Sequence, residues 1–355
     1  MSTSRPRLHV VYEYGADARP FSASYIRLIR PFTHPRVQAH LEVSLDLRYE
    51  DQPVDLVILD RLWRPDVTLE RAGELVQRVR EQGARLVYAL DDNFFDHGLE
   101  DQAEAGTERL QLVAYLLRLA HGAIVTTPAL RERLLSYNPN ILVLANQLDE
   151  RLLVGRSPAQ LAPPRPDERL VIGYMGTFTH DEDFLMLLPA LQAVCKRHPG
   201  KLELQVVGGL RAEATKKALA DLPVRYLYPR PEEHEYPMFM IWFTSQMRWD
   251  IALAPLCDNP FTRCKSDIKF LDYAAIGAAG IYSQSTAYSA TVAHRENGWL
   301  AENTPAAWEE ALETLLANAE LRLHIARSAT RYLYNERTLT QRAPDWVAAV
   351  RTLLA

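Results

Sequence analysis

The chain has little cysteine: Cys195, Cys257 and Cys264 are the three thiols in 355 residues. Three thiols cannot build a disulfide framework, and they suit a reducing compartment. Cys257 and Cys264 have no companion ligands beside them, which argues against zinc. Long hydrophobic runs are also missing. No window approaches the roughly 18 uncharged apolar residues of a membrane helix. The run Leu8–Tyr12 is too short for a secretion signal. The expectation is a cytoplasmic protein, with peripheral contact at the inner membrane face left open. Charge of one sign is not in excess, since 40 basic and 45 acidic residues leave a net charge of −5. That removes any global attraction to nucleic acid. No short repeat or low-complexity segment occurs, which excludes solenoids. No GxGxxG follows the first strand candidate, which argues against a dinucleotide-dependent oxidoreductase.

What is present is an ordinary globular composition, 48% hydrophobic and 24% charged, over a length that suits two domains. Short β-rich runs alternate with helical patterns throughout. In the first half the strand candidates are Leu8–Tyr12, Val54–Leu59, Arg85–Leu90, Ala123–Thr126 and Ile141–Leu144. Several are continuous apolar runs, as in parallel strands buried on both faces. Leu69, Ala72, Leu75, Val76 and Val79 mark one helix face, and Leu110, Val113, Leu116, Leu117 and Ala120 another. Residues 155–168 hold Pro158, Pro163, Pro164 and Pro166 and read as a stiff linker. A second series follows, with strands over Leu170–Tyr174, Leu202–Val207, Arg225–Tyr228, Ile251–Ala254, Gly280–Ser283 and Gly298–Ala301. Its helices are expected over Asp183–Lys196, Arg211–Ala220, Pro231–Met247, Asp267–Gly277, Pro305–Ala317, Leu321–Tyr332 and Leu339–Leu354. The pattern predicts two doubly wound α/β domains, residues 1–154 and 169–335, with a final helix in 336–355.

Ligands of open α/β sheets bind beyond the carboxyl ends of the strands, so residues that follow strand runs matter most. Gly176 and Thr177 follow the first strand of the second series and precede a helix. Their backbone N–H groups can hold phosphate, although the same pattern serves a tight turn with Asp183 as cap. Arg263, Lys265 and Lys269 surround the expected start of the helix Asp267–Gly277. If Lys265 opens that helix, it and Lys269 project on one side. Cations there oppose the helix dipole unless an anion is bound; a solvated charged face is the plainer alternative. Asp272, three residues after Lys269, can accept hydrogen bonds from vicinal hydroxyls.

Lys269-Phe-Leu-Asp-Tyr-Ala-Ala-Ile-Gly277, with Gly280-Ile-Tyr-Ser283 and Asn297-Gly-Trp-Leu300, resembles the donor-binding signature of retaining GT-B glycosyltransferases. These form the "glycosyltransferase group 1" or family 4 class. Leu144-Ala-Asn-Gln-Leu-Asp149, Leu204-Gln-Val-Val-Gly-Gly209 and the helical region Trp308–Ser328 are weaker matches. The resemblance implies an α/β GT-B fold, two Rossmann-like domains facing a central cleft. It also implies transfer of a sugar from a nucleotide-diphosphate sugar to a hydroxyl, with retention, and with no metal or other cofactor. Two glutamates eight apart are usual in the family; here Asp272 stands at the second and Cys264 at the first.

On that resemblance, Lys269, Arg263 and Asp92 are the catalytic candidates. Gly176, Thr177, Lys265, Asp272, Tyr228 and Pro229 are the donor-binding set, with the last two beside the base. Gly15, Asp91 and His180 fall on the acceptor side. Asp91 and Asp92, at a strand end, equally suit turn and capping work. Gly15 and His180 equally suit plain loop positions. The partners are a nucleotide-sugar donor and a glycan, lipid-linked, protein or small-molecule acceptor. A non-catalytic sugar-nucleotide binder, motivated by Cys264, and a nucleotide-sugar epimerase are the alternatives.

Overall fold

The computed structural model describes residues 5–96, 103–154, 161, 169–176, 181–208 and 213–355. The expected linker therefore lies outside the described residues except at Leu161. Two compact units emerge. The first comprises Met1–Asp149, Arg263–Ser266 and Thr338–Ala355; the second comprises Glu150–Thr262 and Asp267–Arg337.

The first unit is built on β1 (Arg7–Val11), β2 (Glu42–Asp46), β3 (Leu56–Asp60), β4 (Arg85–Leu90), β5 (Gly122–Val125) and β6 (Ile141–Val143). Their order is β2-β1-β3-β4-β5-β6, all parallel. The apolar runs alternate between two buried faces. Val57 and Leu59 pack with the helices Leu69–Glu81 and Ala103–Leu119. Leu56 and Ile58 share the opposite core with Trp346 of the last helix, Leu339–Leu354. Trp346 meets Phe32 edge-on at 5.2 Å, and its Nε1 donates to Gln147 Oε1 at 2.9 Å. Strand β2 was not anticipated from sequence. It is an edge strand of half-exposed and exposed residues, so it lacks the apolar run that betrays its neighbours.

The second unit carries β7 (Leu170–Gly176), β8 (Leu202–Gly208), β9 (Val224–Leu227), β10 (Ile251–Ala254), β11 (Ala279–Ser283) and β12 (Trp299–Ala301). Their order is β12-β11-β10-β7-β8-β9, again parallel. The stretch expected as one helix over Pro231–Met247 is a 3₁₀ turn, Pro231–Glu233, followed by a helix, Tyr236–Gln246. Pro237 sits in the first turn, where its missing N–H costs nothing, so the helix starts there. Among the described residues, no helix is long and apolar enough to cross a membrane.

Each order places a reversal of winding direction beside its first strand. In the first unit it falls between β1 and β3; in the second, between β7 and β10. Adjacent connections leave in opposite directions at these points, which opens a crevice at the carboxyl ends of the strands.

Candidate functional site

In the first unit the crevice is a cavity of about 600 Å³. Its lining includes Glu13 and Gly15 after β1, Arg61 after β3, Asp92 and Phe94 after β4, and Phe21. Glu13 is buried, 6% exposed. Its Oε2 lies 3.0 Å from Arg61 Nε, and Arg61 Nη1 lies 3.1 Å from Asp91 Oδ1. Asp60, the last residue of β3, is fully enclosed. Its Oδ2 accepts from Ser24 Oγ at 2.6 Å and from the Glu13 backbone N–H at 3.1 Å. Arg61 adopts a left-handed backbone, φ 39°, and its carbonyl accepts from Tyr88 Oη at 2.9 Å. Strained backbone of this kind concentrates at functional sites.

Burial disfavours charge, and the carboxyls here show it. Burial pushes Glu13 up to about 7 against the pull of Arg61. It pushes Asp60 up to about 6 against the hydrogen bonds from Ser24 and Glu13. Burial also works against the Arg61 charge, yet Asp91, Glu13 and Asp92 together hold it above the usual arginine value. Glu13, paired with Arg61, can therefore either accept or donate a hydrogen bond near neutral pH.

Of the residues expected from sequence, Gly15 and Asp92 line this cavity, and Asp91 lies beside it on Arg61. The segment Arg263–Ser266 also belongs to this unit. Lys265 Nζ sits 2.8 Å from Asp92 Oδ1, and the Cys264 carbonyl accepts from Thr127 Oγ1 at 3.0 Å. Cys264 itself is in the core, its thiol pushed up by burial, with Asn93 Nδ2 3.6 Å from the sulfur. This corrects the expectation that Lys265 and Lys269 share one helix face. The helix is Ile268–Ile276, and Lys265 precedes it, after the 3₁₀ turn Thr262–Cys264. Asp267, just before the helix, is held by both guanidinium arms of Arg337 at 2.7 and 2.9 Å and by Thr291 Oγ1 at 2.7 Å.

In the second unit, β7 runs down to Gly176 beside the reversal. A Cβ on Gly176 would stand 2.4 Å from Tyr174 Oη. Gly208, ending β8, has φ +97°, and a Cβ there would stand 2.0 Å from the Gly176 carbonyl. Both positions require glycine because the space a Cβ would take is already filled, by the Tyr174 hydroxyl at Gly176 and by the Gly176 carbonyl at Gly208. Tyr273 ties β7 to β10: its Oη donates to the Leu253 carbonyl at 2.7 Å and accepts from Met175 N–H at 3.3 Å. Lys269 Nζ lies 5.1 Å from the centre of the Tyr174 ring, a cation–π arrangement. Among the described residues, Tyr174 Oη is buried without a hydrogen-bond partner. Asp272 is buried, and burial pushes it up to about 7, with Lys269 opposing.

A second cavity of about 470 Å³ starts at Gly208 and is lined by Lys216, Leu219, Tyr226 and Tyr228. Tyr228 is 68% exposed. Pro229 is not among the residues lining it; its carbonyl lies 3.2 Å from His234 Nε2. Arg263 is exposed on its 3₁₀ turn. Thr177 and His180 lie outside the described residues. Among the described residues, no group of three or more metal-ligating side chains occurs. Sequence reasoning missed Glu13, Asp60 and Arg61. The signal was there: carboxylates that end the apolar runs of β1 and β3, next to a reversal that only the strand order reveals.

Residues 169–318 match the family described as glycosyl transferases group 1. No curated protein matches the chain in sequence. Among solved structures, HepE of Anabaena, crystallised with UDP and glucose, is 13% identical with a TM-score of 0.66. That match spans 98% of this chain and 100% of HepE. Sucrose-phosphate synthase of Thermosynechococcus elongatus is 14% identical with a TM-score of 0.67, over 98% and 99% of the two chains. A glycosyltransferase of Rickettsia africae is 12% identical with a TM-score of 0.66, over 99% and 98%. The resemblance read from Lys269–Gly277 is thereby borne out for the second unit, and the fold is GT-B. The expected enzyme class, glycosyltransferase, stands on this domain and this fold.

Proposed function

From a GT-B fold whose residues 169–318 form a glycosyl transferases group 1 domain, we propose that the protein moves a sugar from a nucleoside-diphosphate sugar to an acceptor hydroxyl, with retention at the anomeric carbon. The observation that carries this reading is the corner at the carboxyl ends of β7 and β8. There Gly176 and Gly208 let two strand ends approach closely, Lys269 supplies positive charge over Tyr174, and Gly208 lines the cavity of Tyr226 and Tyr228. HepE, of like fold, was crystallised with UDP and glucose, which supports a donor of this class.

The hard step is departure of the diphosphate as positive charge grows on the anomeric carbon. A cation fixed in a partly desolvated site stabilises the leaving charge without reorganising, and such electrostatic terms usually dominate. We assign this role to Lys269. Asp272 is assigned to the ribose hydroxyls, and the exposed ring of Tyr228 to the base by stacking. The nucleophile is the acceptor hydroxyl, held in the first-unit cavity near Asp92. Carboxylates and a guanidinium side by side suit a polar acceptor group there.

The test is thermal unfolding with UDP, GDP, ADP, CMP and dTDP and their common sugar conjugates. A nucleotide at 100 times its dissociation constant stabilises by about 2.7 kcal/mol. One base should give such a shift, and Lys269→Ala should abolish most of it. No shift with any nucleotide removes the donor assignment.

A further inference from the structure

The helix Tyr236–Gln246 of the second unit carries no charged side chain. Tyr236, Met240, Phe243 and Thr244 are buried and make its inner face. The helical period puts Met238, Ile241, Trp242 and Ser245 on the opposite face. Met238 is 45% exposed, and Ile241, Trp242 and Ser245 are half-buried. The ring of Phe239 lies 5.6 Å from that of Trp242 and widens the stripe. Val154, 56% exposed, stands at its flank, where its N–H donates to Thr244 Oγ1 at 3.1 Å. A surface helix ordinarily turns polar residues outward, and an apolar stripe rimmed by charge marks an interaction surface. The charges at the two ends of this stripe are opposite. Glu232, Glu233 and Glu235 come before the helix, and Arg230 pairs with the first two at 3.4 and 2.7 Å. Arg248 comes after it and is exposed. Its Nη1 donates to the Met247 carbonyl at 2.6 Å, and no carboxylate pairs with it among the described residues.

We propose that this face binds a second copy of the chain, the two helices running antiparallel about a twofold axis between Ile241 and Trp242. In that register Glu235 meets Arg248 of the partner subunit, Met238 meets Ser245 of the partner subunit, and Ile241 meets Trp242 of the partner subunit. Twofold symmetry makes each pairing occur twice. Opposite charges then close both ends of the stripe, and a long side chain lies over a small one inside it. A parallel pair would set each glutamate against its own copy. A membrane surface selects basic side chains around an apolar face, whereas the start of this helix is acidic. The helix is about 16 Å long, so the interface is at the small end of the specific range and the dimer dissociates at about 10 µM. This surface is independent of the donor site, and the inference stands apart from the sugar-transfer reading.

The experiment is sedimentation equilibrium of the full chain from about 1 to about 100 µM, a range that brackets the expected dissociation constant. The average mass should climb from monomer towards dimer. Met238→Glu, which places a charge in the stripe, should weaken the dimer at least about 10-fold. Ser245→Arg, which fills the small position without touching the inner face, should do the same, so that the result does not depend on one variant folding well. Glu235→Arg and Arg248→Glu should each weaken self-association about 5-fold, because each sets like charges together at both ends. An equal mixture of these two variants should dimerise as the wild type does, since the mixed pair restores both contacts. Damage to the fold would not be repaired by mixing. A monomer at every concentration overturns the proposal. A dimer that survives both Met238→Glu and Ser245→Arg overturns this face, and a mixture no tighter than its components overturns the antiparallel register. Binding to phosphatidylglycerol vesicles that Met238→Glu abolishes, without self-association, gives the face to a membrane and overturns the dimer.

Discussion

At the scale of single residues, three buried carboxyls stand out, and burial sets their behaviour. Glu13 and Asp272 are pushed up to about 7 and Asp60 to about 6. A raised carboxyl holds in the folded state a proton that the unfolded chain releases near pH 4. Its contribution to stability is therefore fully present below about 4 and is lost as pH rises through about 7. Asp272→Asn removes one such group. The variant should melt at a higher temperature than the wild type near pH 8, show no such gain near pH 4, and bind nucleotide more weakly. Thermal scans across that range decide it, and an identical pH dependence in both proteins would mean that Asp272 keeps its normal pKa. Asp272 was legible as a candidate because its spacing from Lys269 resembles a family signature. Glu13 was not: it sat in a loop that drew notice for Gly15, and no local pattern reports that a glutamate is 6% exposed.

At the scale of elements, close backbone approach decides which segments can meet. Gly208 is the sharpest case. Its positive φ and the 2.0 Å clash of an added Cβ with the Gly176 carbonyl make Gly208→Ala doubly unfavourable. The loss should be about 3 kcal/mol in urea unfolding, with nucleotide affinity falling as well. Stability unchanged within about 0.5 kcal/mol would mean that the β7–β8 corner is looser than described. The helix Ile268–Ile276 gives the complementary lesson. Its apolar pattern and closing Gly277, at φ +70°, were plain in the sequence. Its start was not. The carboxylate of Asp267 is occupied by Arg337 and Thr291, and Lys265 by Asp92, partners 70, 24 and 173 positions away. Long-range ion pairs of this kind leave no trace in local spacing.

At the scale of the whole molecule, the chain forms two units with two parallel six-stranded sheets wound in different orders. The last helix, Leu339–Leu354, completes the first unit. Trp346 fills the core against Phe32 and beneath Arg27, whose guanidinium lies 5.5 Å from the indole ring. Trp346→Ala should cost about 3–5 kcal/mol, and the loss should appear in the transition of the first unit. Limited proteolysis with mass spectrometry reads this directly, because new cleavage should fall in residues 5–149. Cleavage confined to the second unit would contradict it.

The sequence by itself determined the strand–helix alternation, the fold class, the bounds of the helices Pro305–Ala317 and Leu339–Leu354, and the family signature around Lys269. All of these are local: periodicity, caps and short motifs lie within a few residues of one another. The tertiary structure alone decided the order of the strands, and with it where the winding reverses and which strand ends become a crevice. It also decided that Cys264 and Lys265 join the first unit, and that Glu13, Asp60, Arg61 and Asp91 are linked by hydrogen bonds and ion pairs into one cluster. Desolvation and charge pairing depend on distance through space, and residues 47 positions apart in the chain become neighbours only when the sheet forms.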